Sequence, residues 1–322
     1  MSRKKIVVMG GGTGTFTVLS GLRHHPVDLS AIVSVADNGG STGILRDELG
    51  VLPPGDIRQC LVALSAGDVT LRNLFNYRFH EGSLTGQNFG NLFLSALEKI
   101  TGDPLSAVRE AHRILNVEGR VIPVSPIASN LFAEFVDGTI IAGEHSIDKL
   151  NVQHGGIRRC FLSPTAPPNP DAVQSILDAD LVVLSPGDVF TSLMPVLLVE
   201  GIRDALASTS AKRAYVVNLV TKKGQTDGFS AKTFCDVIAS AISPATLDAV
   251  VVNSTKPSES LLEKYEITGD HVVSDDLDGT SFNAIRASLL AEAPVDRVAG
   301  DRLERSLLRH DPAKLAVILL TL

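Results

Sequence analysis

Runs of apolar residues with few polar interruptions recur along the chain at residues 6–9, 31–35, 181–184, 214–220 and 249–252. Such runs fit strands buried on both faces, because a strand with one face in water alternates instead. Between them, residues 17–24, 56–65, 89–100, 105–115 and 194–206 place apolar side chains at helical spacing. Strands alternating with amphipathic helices predict a mainly parallel sheet joined by right-handed crossovers, a doubly wound α/β architecture with helices on both faces.

One stretch departs from this rhythm. Residues 131–136 and 139–147 flank the dipeptide Asp137-Gly138. Asp-Gly between two strand-like runs predicts a tight hairpin whose two central residues both adopt positive φ. The expectation is a single domain over residues 1–322 with an inserted β-hairpin excursion at about residues 119–160. The Pro-rich stretch 164–170 then leads back to the main sheet. No internal repeat is visible.

Composition narrows the function classes. With 44% hydrophobic and 20% charged residues, the chain of 322 residues is neither disordered nor fibrous. A net charge of −7 argues against a nucleic-acid partner, which needs a broad cationic face. It leaves room for a local phosphate pocket built from backbone N–H groups. Cys60, Cys160 and Cys235 are far apart with no CxxC, which suits a reducing compartment rather than a disulfide scaffold or a zinc site. Arg3-Lys4-Lys5 precedes an apolar run too short for a secretory signal, and no stretch approaches the roughly 18 apolar residues of a membrane span. A cytoplasmic protein without a membrane span is expected, and a homodimer is the default oligomer.

The candidate chemistry lies in loops that follow buried strands. After residues 6–9 come Gly10, Gly11, Gly12, Thr13 and Gly14. Glycines there let a ligand approach the backbone, and the next helix offers unpaired N–H groups and a positive dipole end. The reading is phosphate binding by Gly11, Gly12, Thr13 and Gly14, or a turn needed only for packing. A strict dinucleotide fingerprint ends in a third glycine where this chain has Thr17, and no Gly-Lys-Ser/Thr of a Walker loop follows. The second strand leads to Asp37, Asn38, Gly39, Gly40 and Ser41, where Asp37 is placed for a ribose or a metal, or caps a turn. In Pro53-Pro54-Gly55-Asp56-Ile57-Arg58, Asp56 has the character of a helix N-cap. Arg58 in the first turn opposes the helix dipole and so calls for a carboxylate or phosphate partner. Asn91 follows Gly90 at another helix start. In the second half, Ser185, Gly187, Asp188, Thr191 and Ser192 repeat the strand–turn–helix pattern, with Asp188 a metal or sugar ligand or a cap. Asn218 and Asp227 lie beyond the next strand. Ligands of open parallel sheets bind beyond the carboxyl ends of the strands, so these polar loops are expected to converge. There is no HExxH, no Gly-x-Ser-x-Gly elbow and no clustered histidine.

The motifs Gly10-Gly-Gly-Thr-Gly14, Asp37-Asn-Gly-Gly-Ser-Thr-Gly43, Pro53-Pro-Gly-Asp-Ile-Arg58, Gly90-Asn91-Leu92, Pro186-Gly187, Thr191-Ser192, Thr226-Asp227-Gly228 and His310-Asp311-Pro312 together resemble the gluconeogenesis factor family (YvcK-like), sister to the 2-phospho-L-lactate transferases (CofD-like). The resemblance runs from Lys5 almost to the last residue. It implies a Rossmann-like three-layer fold and a nucleotide-type ligand. One branch implies UDP-sugar binding, cell shape and cell-wall synthesis on gluconeogenic carbon sources, with protein partners in that process. The other implies Mg²⁺-dependent transfer of a phospholactyl group from a nucleoside diphosphate-linked donor, with Asp37 and Asp188 as metal ligands. The sequence departs from the first branch at Asn38, where a second Asp is usual, at Gln87-Asn88, which replace a run often containing His, and at Asp188, where Ser is common. An NAD(P)-dependent oxidoreductase is disfavoured by the missing third glycine and the lack of an evident hydride-transfer acid.

Overall fold

The computed structural model describes residues 3–67, 69–149, 154–292 and 307–322. The first half runs β1 (Lys4–Gly10), α1 (Gly12–Leu22), β2 (Val27–Val33), α2 (Gly40–Leu49), α3 (Pro54–Leu64), α4 (Val69–Asn76), α5 (Phe89–Thr101), α6 (Pro104–Leu115) and β3 (Arg120–Pro123). An excursion follows, made of β4 (Asn130–Phe135), β5 (Ile140–Ala142), α7 (Glu144–Asp148) and β6 (Ile157–Ser163). The second half runs α8 (Pro170–Leu177), β7 (Leu181–Leu184), α9 (Met194–Leu197), α10 (Ile202–Ser208), β8 (Lys212–Val216), α11 (Ala231–Ile242), β9 (Ala249–Asn253), α12 (Glu259–Thr268), β10 (Ala284–Ala287) and α13 (Pro312–Thr321).

The main sheet has seven strands in the order β10-β9-β8-β7-β1-β2-β3, and all its pairings are parallel. The chain moves outward from β1 through β2 to β3, then returns beside β1 as β7 and moves outward the other way. The switch point is therefore the β1/β7 pair. Right-handed crossovers in opposite directions put helices on opposite faces. Accordingly α1, α3, α5, α6 and α13 form one interconnected packing group, and α8, α9, α10 and α11 another. The doubly wound α/β expectation holds. Ile6, Val8 and Met9 on β1 and Leu181 to Leu184 on β7 are fully buried, as central strands with both faces covered require.

The excursion is a second, antiparallel sheet in the order β5-β4-β6. Leu131, Ala133 and Phe135 alternate inward from β4 and share a small core with Ala36 and Ile147. Ala36 belongs to the loop after β2, so this sheet packs at the carboxyl-end side of the main sheet. The hairpin turn falls at Asp137-Gly138, but only Gly138 has positive φ (88°). Phe135 N–H donates to the Thr139 carbonyl at 2.8 Å, and Gly138 N–H returns to the Phe135 carbonyl at 3.0 Å. A three-residue loop closed by a left-handed glycine thus replaces the expected two-residue turn. Residues 120–123, expected in the excursion, form the edge strand of the main sheet instead.

Three element expectations are corrected. Helix α3 starts two residues before Asp56, because Pro54 with its fixed φ takes the first helical position. Residues 194–206 are not one helix, since Gly201 at φ 76° separates α9 from α10. Strand β2 ends at Val33; Val35 beyond it stays buried in the main core, and Ala36 is buried against the excursion. Among the described residues, no helix is long and apolar enough to cross a membrane.

Candidate functional site

The loops after β1, β2, β7 and β8 gather at the switch point, with α7 of the excursion beside them. Gly14 of α1 packs so closely on the β7 loop that a Cβ there would overlap the Pro186 carbonyl. Thr15 Oγ1 and Ser185 Oγ are 2.7 Å apart, and Thr15 also donates to the Gly11 carbonyl at 3.1 Å. Gly10 and Gly11 are equally tight, against Ser185 and the Asp56 carboxylate. These glycines serve packing. Gly12 and Gly187 differ: φ is 63° and 139°, and a Cβ on either would meet nothing nearer than 3.6 Å, with Ser192 a neighbour of both. Space remains between Gly12, Gly187 and Ser192, and Thr13 is exposed at the same helix start.

The N–H groups at this helix start are not all available. Gly12 N–H donates to Asp56 Oδ1 at 2.8 Å. Asp56, read as the N-cap of its own helix, is the third residue of α3 and reaches 44 positions back along the chain. The phosphate role expected of Gly12 N–H is therefore taken by a carboxylate.

Around Asp56 lies an acidic cluster that loop chemistry alone did not reveal. Asp37 accepts from Gly39 N–H at 2.7 Å in an Asx turn and from the Thr42 hydroxyl. A Cβ on Gly55 would come within 2.6 Å of Asp37 Oδ2, so Asp37 lies against the start of α3. Burial raises the pKa of Asp37, and Asp148 raises it further. Burial, then the charge of Asp37, pushes Asp56 up to about 7. Glu144 on α7 is raised well above the carboxylate range by burial and then by Asp37, Asp56 and Asp148, and its buried Oε2 has no hydrogen-bond partner. Asp188 is raised by burial, with Asp148 adding to it.

One lysine answers these acids directly. Lys222, just beyond β8, bonds Asp148 Oδ1 at 2.8 Å and also Asp188 Oδ2. Burial pulls its pKa down, but Asp188 and Asp148 hold it above the ordinary lysine value. Asp148 Oδ1 additionally accepts from Thr191 Oγ1 at 2.9 Å and Gln225 Nε2 at 3.0 Å. Asp188, expected beside Asp37 as a metal ligand, is thus paired with Lys222, and the acids that interact electrostatically with Asp37 are Asp56, Glu144 and Asp148. Among the described residues, no three His, Cys, Asp or Glu side chains are grouped so as to hold a metal ion by themselves.

Other expected site residues turn inward. Arg58 is buried, donating from Nε to Asn91 Oδ1 at 2.9 Å and from Nη1 to Asn76 Oδ1 at 2.8 Å and the Phe75 carbonyl at 3.3 Å. These bonds tie α3 to α4 and α5, where a ligand phosphate was expected. Asn91 and Ser41 belong to the same buried network, Ser41 donating to Gln87 Oε1 at 2.7 Å. Asn38 Oδ1 accepts from His145 N–H at 2.9 Å and so holds the start of α7. Asn218 donates to the Gly187 carbonyl at 2.6 Å, which fixes the β7 loop. Asp227 is exposed and closes a turn on Gly224 N–H at 2.7 Å, outside the acidic cluster. Gly40, at φ 45°, is open at the start of α2. Asp148, Glu144 and Lys222 were missed because no glycine-rich loop signal marks them. The Gly143-Glu144 step after an alternating run was the one available cue.

Comparison with known proteins agrees with this architecture. The family profile of 2-phospho-L-lactate transferase CofD matches residues 6–290. A gluconeogenesis factor of Bacillus subtilis is 37% identical over 99% of this chain and 98% of its own. A gluconeogenesis factor of Halalkalibacterium halodurans is 41% identical over 82% of each chain. The crystal structure of a UPF0052 family protein from Bacillus halodurans superposes with a TM-score of 0.91 at 36% identity, covering 99% of both chains.

Proposed function

The chain belongs to the CofD family and, within it, to the gluconeogenesis factors, and from that premise we propose that it is a cytoplasmic regulator that binds a nucleotide sugar. A UDP-sugar is the ligand, and the process it serves is cell-wall synthesis and cell shape during growth on gluconeogenic carbon. The protein acts as a homodimer with protein partners in that process.

The observation that carries this reading is the pairing of a glycine-lined opening with an acidic cluster at the switch point. Gly12, Gly187 and Ser192 leave open space beside the start of α1, and a helix start is where a phosphate is favoured. Carboxylates accept hydrogen bonds well from sugar hydroxyls, and Asp37 and Asp188 supply them. A bare diphosphate is repelled by so many acids, so the ligand enters with Mg²⁺. Mg²⁺ usually takes one or two carboxylates and completes its shell with phosphate oxygens and water, a need that Asp37 with Asp56 meets without a third protein ligand. The ion supplies charge neutralisation of the diphosphate.

A second reading is favoured by the transferase profile over residues 6–290. In it, an alcohol oxygen attacks the phosphorus of a phospholactyl group, the bond to the nucleoside phosphate breaks, that nucleotide leaves with the electron pair, and the alcohol proton passes to solvent. Aromatic residues make up only 5% of the chain and tryptophan is absent, which gives little material for a flat acceptor site.

Calorimetric titration with UDP-N-acetylglucosamine, UDP-glucose, GDP and NAD, each with and without Mg²⁺, separates the readings. Mg²⁺-assisted binding of a UDP-sugar that is recovered intact is the expected result. Selective Mg²⁺-dependent binding of GDP points to the transferase, and no binding of any nucleotide overturns both.

A further inference from the structure

Helix α7 is a short element held at its two ends by different halves of the molecule. At its start, His145 N–H donates to Asn38 on the loop after β2. At its end, Asp148 Oδ1 receives Lys222, Thr191 and Gln225, which belong to the loops after β7 and β8. Ile147 adds an apolar anchor, buried with Leu131, Ala133 and Phe135. Lys222 is therefore both the cation paired with Asp148 and Asp188 and one of the ties that hold α7 down.

We propose that Lys222 is the residue that takes the ligand's phosphate, and that it does so by exchanging Asp148 for a phosphate oxygen, which loosens α7. The inference rests on the nucleotide reading of this site and adds to it the contact residue and the coupled movement. Lys222 is 28% exposed at its side chain, and Asp148 and Asp188 are 31% and 35% exposed, so solvent and ligand reach the pair. An ammonium group has three donors, two of which already serve carboxylates. A phosphate on the third would put three anions around one cation. Like charges held this close near a protein surface repel strongly, so one carboxylate gives way. Asp188 sits on a wide helical turn that packs Val189, Phe190 and Leu193 into the main core. Asp148 is the terminal residue of a five-residue helix. Asp148 is the one that yields, and its bonds from Thr191 and Gln225 go with it.

The test combines binding with amide hydrogen exchange, using UDP and inorganic pyrophosphate as probes, each with Mg²⁺. In the wild-type chain, UDP should speed exchange of the α7 amides at residues 145–149 several-fold. Asp148→Asn retains an acceptor for Thr191 and Gln225 but removes the competing charge, and should bind both probes about three- to tenfold tighter. Lys222→Gln should bind both at least tenfold more weakly while melting as a folded protein. If Lys222→Gln does not fold, the tighter binding of Asp148→Asn decides alone. Equal affinity of UDP for the wild-type chain and Asp148→Asn, or slower α7 exchange on binding, overturns the proposal and leaves the nucleotide reading intact. Binding of pyrophosphate but not UDP overturns the nucleotide reading alone, and the variants still test Lys222. Failure of both probes overturns both.

Discussion

Two positions separate Gly12 from Gly14, and the structure gives them different work. Gly14 has no space for a side chain because the Pro186 backbone lies against it, whereas Gly12 has space but a left-handed φ of 63°. Gly14→Ala should cost about 3 kcal/mol or more, the upper range for overpacked sites whose neighbour is backbone. Gly12→Ala should cost only about 1–2 kcal/mol of backbone strain. Urea unfolding of both variants checks the order, and a larger loss at Gly12 would reverse the assignment of packing and opening. Asp56 makes a second prediction at this scale. Its folded pKa is raised from 3.8 to about 7, so ionising it opposes folding, and the stability present below pH 4 is lost as pH rises through 7. Asp56→Asn keeps an acceptor for Gly12 N–H without the charge. It should stabilise the protein by roughly 2–4 kcal/mol at pH 8, with the gain vanishing near pH 4. A variant that is less stable at pH 8 would mean that the carboxylate is favourable where it sits.

Helices α3, α4 and α5 meet around one buried cation. Arg58 donates to an amide on α5, and to an amide and a backbone carbonyl on α4, while a Cβ on Gly90 would press into its aliphatic stem. Arg58→Ala should therefore lower stability by about 2–4 kcal/mol through unmade charged hydrogen bonds and lost packing. Its thermal midpoint should fall, with nucleotide affinity changing much less. A folded, undiminished Arg58→Ala that loses binding would return Arg58 to the ligand. Elements of this kind were legible in the sequence where burial and periodicity coincide, as at Leu181–Leu184, α5 and α6. They carry no such mark where a neighbour decides the outcome. Strand β10 is only partly buried and carries Arg286, so nothing but its pairing with β9 marks it. Strand β6 likewise reads as Ile-Arg-Arg-Cys-Phe-Leu-Ser and becomes a strand by pairing with β4.

Over the whole molecule, the C-terminal segment closes back on the main domain, since α13 packs on α1 and the Pro312 carbonyl abuts Gly21. His310 sits just before it, 6% exposed, with its Nε2 buried and without a partner. Burial lowers its pKa from 6.5 to about 4, so the unfolded chain takes up a proton in this range before the folded one does. Stability is complete above pH 6.5 and declines toward pH 4, by about 3 kcal/mol from this group. His310→Phe should show the smaller acid loss when unfolding free energies at pH 7.5 and 4.5 are compared, and an identical loss in both proteins would place the proton elsewhere. The chain's own pattern determined the parallel α/β fold, the glycine loops at strand ends and the excursion, because hydrophobic period and turn chemistry are local quantities. Only the tertiary structure decided which polar groups face one another. Gly12 with Asp56, Lys222 with Asp148 and Asp188, and Arg58 with Asn76 and Asn91 are separated by 18 to 74 positions along the chain. Charge and desolvation act through space, so the folded contact, and not the local pattern, assigns each of these residues to packing or to the site.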